Sequence, residues 1–248
     1  IAEHLDAAGD LDAAYGWHLR AAAWSTNRDL AAARISWERA CGVADRLPDS
    51  PQHRARRGAP RTMLCATDWQ AEIVQDSWGR FAELRQLCTA AGDKVSLAIG
   101  MTGLASELLY AGRPGEGSRL AMEQMELLES IGDPALTLGL AFVAFTNWFN
   151  SGDIDAIAMW SNRLVQLADG DATLGSAFGI GSPLAISLVF RGVAGWWLGQ
   201  PGWRSDLDRA VAMAQRAGPS AFALVAVWAH GALLYGVTRA DDLAIRTI

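Results

Sequence analysis

Three pairs of closely spaced carboxylates are the residues whose types and spacing could do chemistry in this chain. They are Asp10 with Asp12, Asp153 with Asp155, and Asp206 with Asp208. Paired carboxylates can divide general acid and general base work, and they are also common ligands of divalent cations. Each pair, however, stands where a segment of helical periodicity begins, and a helix N-terminus favours negative charge beside its free amides. We therefore predict that these aspartates cap helices.

Other signatures of catalysis are weak. The stretch GSAFGIGS at 175–182 is rich in glycine, but it lacks the Gly-Lys-Ser/Thr ending of a phosphate-binding loop. The sequence has no Gly-x-Ser-x-Gly motif, and its histidines lack metal-ligand spacing. These histidines are His4, His18, His53 and His230. We predict no catalytic residue, no metal site and no cofactor.

Composition limits the remaining function classes. The 248 residues are 51% hydrophobic, so the chain can bury a large core, and the net charge of −6 argues against nucleic-acid binding. Three widely spaced cysteines predict free thiols in a reducing cytoplasm. The apolar stretch 179–199 carries Arg191 near its middle and Pro183 near its start, which favours a buried helix over a membrane span.

Regularly spaced glycines indicate the elements that position these residues. Gly92, Gly112, Gly132 and Gly152 follow one another every 20 residues, and the runs between them have apolar residues at helical spacing. A glycine after a helix can adopt the left-handed conformation that ends it, and an aspartate directly afterwards can cap the next helix. A Gly-Asp pair therefore predicts the end of one helix and the start of another.

The pattern predicts helices along the whole chain. Their ranges are 2–8, 11–25, 29–47, 51–66, 69–90, 94–110, 114–130, 134–150, 154–168, 182–198, 204–216, 219–236 and 240–248. Pro60 is expected to kink or split the fourth helix, because proline lacks an amide donor. The segment 169–181 is expected to be a loop or a frayed helix.

These lengths predict an all-α fold, specifically an α-solenoid of antiparallel helical hairpins with a period of about 40 residues. No proline- or serine-rich linker divides the chain, so we predict a single helical-repeat domain over 1–248. The sequence begins without methionine and ends inside a predicted helix, so we expect it to be a piece of a longer protein.

Small and bulky residues recur at fixed distances from the turns. Counted from Gly9 they are Ala14, His18 and Ala21; from Asp29 they are Ala33, Trp37 and Ala40; and after Gly152 they are Ile157, Trp160 and Leu164. This pattern resembles the tetratricopeptide repeat, most closely in the first fifty residues. Later the match weakens, with Gly117 at the small position, and the period exceeds the usual value of about 34 residues. The resemblance implies that Ala14 and Ala21 let helices approach closely, while His18 fills the bulky packing position.

Residues 1–48 resemble, more narrowly, the helical segment after the ATPase module of actinobacterial multidomain signalling proteins. Those proteins join an AAA or STAND ATPase to a class III adenylate or guanylate cyclase domain, or to a LuxR-type DNA-binding domain. The resemblance implies a parent protein that makes a cyclic nucleotide or binds DNA. The 248 residues of this chain carry the motifs of neither activity.

A groove along the first helix of each hairpin is the predicted binding site. Alignment of these helices on their turn glycines places the following side chains there: Thr102, Ser106, Tyr110, Phe142, Thr146, Asn150, Val189, Val193 and Trp197. An aromatic floor with a few hydroxyls suits a peptide or a partner helix, and a small apolar effector is the alternative ligand. The groove could instead be filled by the chain's own ends.

Tryptophan and arginine supply two further predictions. Adjacent Trp196 and Trp197 cannot both face one apolar seam, whereas the following tryptophans are predicted in the core: Trp17, Trp37, Trp78 and Trp160.

The segment 46–61 is basic and contains Arg54, Arg56, Arg57 and Arg61. It forms either a docking patch for an acidic partner or attached domain, or a solvated helix face.

The sequence therefore predicts a non-catalytic scaffold or sensor region of a cytoplasmic signalling protein. It would bind a protein or peptide partner, or attached domains of its own chain, without contacting nucleic acid or membrane. Two alternatives stay open, namely a fragment with a hydrolytic pocket near 169–203 and a structural dimerisation stack.

Overall fold

A computed structural model of the protein describes residues 1–71, 76–178 and 181–231. All regular secondary structure in these ranges is helical, which confirms the all-α prediction. The chain divides into two compact units at residues 112 and 113. The prediction of a single domain over 1–248 stays a prediction. The last predicted helix, 240–248, lies outside the described residues, as does the end of the helix predicted over 219–236.

The first unit contains six helices within its described residues. They are α1 (Ala2–Ala7), α2 (Leu11–Ser25), α3 (Leu30–Arg46), α4 (Pro51–Thr67), α5 (Ser77–Ala91) and α6 (Lys94–Tyr110). Each helix packs against the next one along the chain, and α4 also packs against α6.

The second unit also contains six described α-helices. They are α7 (Pro114–Ile131), α8 (Pro134–Ser151), α9 (Ile154–Ala168), α10 (Pro183–Trp197), α11 (Trp203–Ala217) and α12 (Pro219–Gly231). Consecutive helices pack together here too, and α10 additionally contacts α8 and α12. The segment predicted as loose, 169–181, contains only a short 3-10 turn over 176–178 among its described residues.

Glycine–aspartate pairs set the helix boundaries as predicted. Gly92 and Gly132 have φ angles of 68° and 75°, in the left-handed region that L-residues with a side chain avoid. The carboxylate of Asp93 accepts a hydrogen bond from the Ser96 amide at 3.0 Å, and Asp133 accepts from two amides at the start of α8. Each pair therefore ends one helix and starts another within two residues.

Two predictions about helix continuity are wrong. The helix predicted over 69–90 begins at Ser77, because Asp76 caps it by accepting from the Gly79 amide at 2.8 Å. Residues 68–70 form a separate 3-10 turn. Of the two outcomes predicted at Pro60, the split is wrong, since α4 runs through it from residue 51 to residue 67, and the kink stays a prediction.

Alanines allow the helices of the first unit to approach closely. Ala14, Ala33 and Ala40 are fully buried, as the repeat pattern predicts. His18 and Trp37 fill the bulky positions and are also buried. The prediction for Ala21 is wrong, because this residue is exposed and the neighbouring alanine, at position 22, is buried in its place.

Larger apolar side chains fill the second unit. Phe145 of α8 stacks on Phe190 of α10 with ring centroids 4.8 Å apart, and Trp148 is fully buried beside them. Gly117 is buried in α7. A Cβ atom added to this residue would lie 1.8 Å from the side-chain oxygen of Asn147. This close approach explains why glycine takes the place of the small residue in α7.

Candidate functional site

The predicted groove residues of the first unit lie along α6. Ser106 is buried, and its hydroxyl donates to the Thr102 carbonyl at 2.9 Å. The hydroxyl of the half-buried Thr102 donates to the Ala98 carbonyl at 3.2 Å. Only Tyr110 offers a large surface to a ligand, since 72% of it is exposed.

The Tyr110 ring is not isolated. It stacks on Trp69 with ring centroids 5.5 Å apart and an angle of 13° between the planes. Sequence reasoning missed Trp69 because the residue was placed inside a continuous helix over 69–90. The aspartate at position 76, followed by serine, is the start signal that would have separated the turn from α5.

In the second unit the predicted groove residues lie on α8 and α10. Thr146 and Val193 are buried, and the Thr146 hydroxyl donates to the Val143 carbonyl at 2.8 Å. Asn150 is exposed, with its amide donating to the Thr146 carbonyl at 2.8 Å. Trp197 is 55% exposed, and its ring meets that of the half-buried Trp196 edge-on at 5.3 Å. Neither tryptophan is fully buried, so the two do not share one apolar seam.

The aromatic floor of this groove is covered by α12. Trp228 lies 4.8 Å from Phe190, 5.2 Å from Phe149 and 6.4 Å from Phe142, measured between ring centroids. Phe142 is half-buried beneath it, and Val189 is fully buried. A later helix of the same chain thus occupies part of the predicted groove, while Trp197 stays accessible.

The basic segment is neutralised within the first unit. Arg54 forms two hydrogen bonds of 3.0 Å with Asp49, and Arg57 donates to the Leu47 carbonyl at 2.9 Å. Arg56 pairs with a carboxylate of α2, that of Asp12. These arginines join α4 to α2 and to the turn before α4.

Arg61 is directed inward. Its side chain is buried and pairs with Asp45 at 2.9 Å and Glu83 at 2.8 Å. Burial disfavours the charged guanidinium, but the hydrogen bonds that it donates to these two carboxylates outweigh the effect of burial and raise the pKa of Arg61. The side chain consequently offers little surface to an external anion.

The six aspartates have structural partners or lie at helix starts. Asp10 caps α2 by accepting from the Ala13 amide at 3.2 Å, as predicted. Capping is the wrong prediction for Asp153, which makes no cap and instead accepts from the Ser118 and Ser151 hydroxyls. It is also wrong for Asp206, which binds the Arg191 guanidinium through both oxygens. Asp155 and Asp208 are exposed near the starts of α9 and α11.

The three cysteines are free and at least partly buried. Burial raises the pKa of Cys41 and of Cys88 to about 11 and that of Cys65 to about 12. At neutral pH these groups are therefore thiols, which are poor nucleophiles and poor metal ligands.

A cleft of about 390 Å³ lies near the predicted hydrolytic pocket. It is lined by residues of α9, α10 and α11, among them Arg191, Ser205 and Asp206. The Asp206 carboxylate is held by Arg191 at 2.6 and 2.7 Å. The described lining residues include no histidine.

A second cleft, of about 420 Å³, lies between the α7–α8 turn and α9. Trp160 and Leu164 form its floor, and both are buried. Arg163 lies over the Trp160 ring at 5.3 Å and pairs with Glu129 at the mouth. The cleft is mainly apolar, with one neutralised ion pair.

Within the ranges that the structure covers, no group of three or more His, Cys, Asp or Glu side chains is arranged to hold a metal ion. None of the described helices is both long and apolar enough to cross a membrane. Comparison of the chain with protein-family models and with curated proteins finds no match.

Proposed function

We propose that this chain is a non-catalytic helical-repeat scaffold that binds a protein or peptide partner. Two observations support the repeat arrangement. Helices α6 to α9 begin at 20-residue intervals, and in the second unit α10 contacts the alternate helices α8 and α12 as well as its chain neighbours. Both are properties of stacked helical hairpins, in which each unit contacts only its neighbours.

The observation that carries the proposal is the exposure of Trp197. Its side chain is 55% exposed at the end of α10, the helix that also carries Phe190 of the covered aromatic floor. Tryptophan is enriched among the residues that dominate binding energy at protein interfaces, because it buries a large area at little conformational cost. A partner side chain stacked on Trp197 would extend this aromatic cluster outward.

The scaffold would belong to a multidomain signalling protein that contains an ATPase, with a nucleotide cyclase or a LuxR-type output domain. This part of the proposal rests on the resemblance of residues 1–48. Partner binding would shift the angles between neighbouring helices, and the shifts would accumulate along the stack toward the attached domains. The three free thiols are compatible with a reducing cytoplasm.

Selection from a phage-displayed peptide library against the immobilised protein tests the binding proposal. Selected peptides should lose about tenfold or more in affinity with Trp197→Ala, while circular dichroism shows an unchanged fold. Trp78→Ala, at an exposed tryptophan of the other unit, is the matched control and should have no effect. If no peptide is enriched, or if both variants bind as the wild type does, the proposal is wrong. A phosphate-binding loop in the coding sequence upstream of these residues would support the proposed parent.

A further inference from the structure

An exposed stripe of alternating tryptophan and arginine runs along α2 and the turn after it. It consists of Trp17, Arg20, Trp24 and Arg28, and we call it the α2 stripe. At about 100° per residue Trp17, Arg20 and Trp24 lie within roughly 60° of one another around the helix axis, and Arg28 lies in the turn after the last α2 residue. The opposite face of α2 carries its buried residues, so the stripe faces solvent. Trp17 was predicted in the core, and that prediction is wrong, since it is 38% exposed.

Each arginine of the α2 stripe lies over a tryptophan ring. The Arg20 guanidinium carbon is 4.8 Å from the Trp17 centroid, and that of Arg28 is 4.8 Å from the Trp24 centroid. Arg28 also donates to the Trp24 carbonyl at 2.6 Å. These contacts restrict the side chains before any ligand arrives, which reduces the entropy lost on binding.

The charge of the α2 stripe is not neutralised within the described chain. Neither Arg20 nor Arg28 forms an ion pair with a carboxylate there. Many other arginines of the same unit do, namely Arg34, Arg39, Arg46, Arg54, Arg56, Arg57, Arg61 and Arg80. Two cations and two exposed aromatic rings therefore remain available to an external ligand.

We infer that the α2 stripe docks an acidic, amphipathic helical segment of a protein partner. Trp17 and Trp24, over whose rings the two guanidinium groups lie, are about 10 Å apart along the α2 axis, since each helical residue rises about 1.5 Å. A partner helix with carboxylates two turns apart matches this spacing, and an apolar side chain between them would cover Trp24, which is 66% exposed. Tryptophan and arginine are the residues most enriched in binding hot spots.

Overall charge favours a short acidic segment over an extended polyanion. The chain carries a net charge of −6, and Asp10 and Asp29 flank the α2 stripe at the start of α2 and α3. A nucleic acid or an anionic membrane would cover a wide area of this acidic protein and would be repelled by its carboxylates. A helix with two carboxylates would instead contact mainly the arginines. The inference is independent of the proposed groove ligand, because it concerns a different surface.

Fluorescence anisotropy tests the inference with a labelled helical peptide of about 16 residues. The peptide has two glutamates about seven residues apart with leucines between them, and the comparison peptide has glutamine at both positions. The glutamate peptide should bind more weakly as salt rises. Its dissociation constant should increase about tenfold or more with Trp24→Ala and with the double variant Arg20→Ala/Arg28→Ala.

Two matched controls separate this surface from others. Arg216→Ala removes an exposed arginine of α11, and Trp78→Ala removes an exposed tryptophan of α5; neither should change binding by more than about twofold. The inference is overturned if the glutamate peptide fails to bind, if the glutamine peptide binds equally well, or if the controls weaken binding as much. Tighter binding of poly(dT), or of phosphatidylcholine–phosphatidylglycerol vesicles, through the same residues would also overturn it.

Discussion

The Tyr15 hydroxyl donates a hydrogen bond of 3.0 Å to the backbone carbonyl of Arg56. Within a helix that carbonyl would accept from the amide four residues later, but position 60 is proline and has no amide hydrogen. The tyrosine of α2 thus replaces the missing donor of α4. This bond explains how α4 continues through Pro60, and it fixes α2 against α4.

Tyr15→Phe should lower the free energy of unfolding by about 1–2 kcal/mol, because the Arg56 carbonyl loses its partner. In a Pro60→Ala background the loss should be smaller, since the restored amide at position 60 can donate to that carbonyl. A double-mutant cycle from urea unfolding measures the coupling. Equal losses in the two backgrounds would refute the proposed replacement of the donor.

Asp68 should be essential to the first unit. It is only 2% exposed, and its Oδ1 accepts a hydrogen bond from Arg34 at 2.6 Å. Its Oδ2 forms an ion pair with Nε of Arg80 at 3.3 Å, but the angle there does not allow a hydrogen bond. Asp68→Asn would leave two poorly solvated guanidinium groups without a counter-charge and should cost about 3–5 kcal/mol. Thermal unfolding followed by circular dichroism provides the measurement. Asp49→Asn, at an exposed partner of Arg54, is the control and should change the melting temperature little.

His18 should make the first unit sensitive to mild acid. Burial, and then the charge of Arg39, lower the pKa of His18 below its usual value, while the carboxylates of Asp6 and Glu3 oppose this shift. The unfolded chain therefore takes up this proton at a higher pH than the folded chain, and the free energy of unfolding should fall as pH drops below about 6.5. The charged groups that line the same cleft are Glu3 and Asp6 of α1 and Arg39 and Arg46 of α3.

Urea titrations at several pH values between about 7.5 and 5 test this dependence. His18→Gln should flatten the change in stability over that interval. His4→Gln alters an exposed histidine of α1 and is the control. A slope that persists in His18→Gln would assign the acid sensitivity to other groups.

Gly103 should tolerate no side chain. A Cβ there would lie 2.0 Å from the Cys65 carbonyl oxygen, so Gly103→Ala would push α6 away from α4 and cost about 1–3 kcal/mol. Gly16→Ala is the matched control, because a Cβ at that helical position meets nothing within 4 Å. It should raise stability by about 0.5–1 kcal/mol. The melting temperature should therefore fall below that of the wild type in Gly103→Ala and rise above it in Gly16→Ala.

The local parts of the fold could be predicted from the sequence. The starts of α2, α6 and α8 follow from turn glycines and aspartates, because these residues act on the backbone within one helical turn. Interactions between helices could not be predicted in this way. Pro60 fails to split α4 because of a hydroxyl far away in the sequence, and Asp206 binds an arginine of another helix instead of capping its own.

Exposure of aromatic residues was the least predictable property of the candidate sites. Trp37 and Trp160 are buried as predicted, but Trp17 and Trp78 are exposed, so the prediction is wrong for half of this set. Residue type alone cannot tell which side of a helix meets the neighbouring helices. Trp228 follows Val189 by 39 residues, which is close to the predicted repeat period of about 40 residues. This spacing is the sequence signal that could have placed Trp228 over the aromatic floor.

The Gly-Asp boundaries also have a consequence for how such a gene can change. Each boundary ends one helix and starts the next within two residues, and the caps made by Asp93 and Asp133 use only amides of the helix that follows. A recombination event between two of these sites would exchange whole helices and leave an unstrained junction. The backbone at these points therefore permits duplication or loss of hairpins, so that the length of the protein can vary while each junction keeps its local geometry.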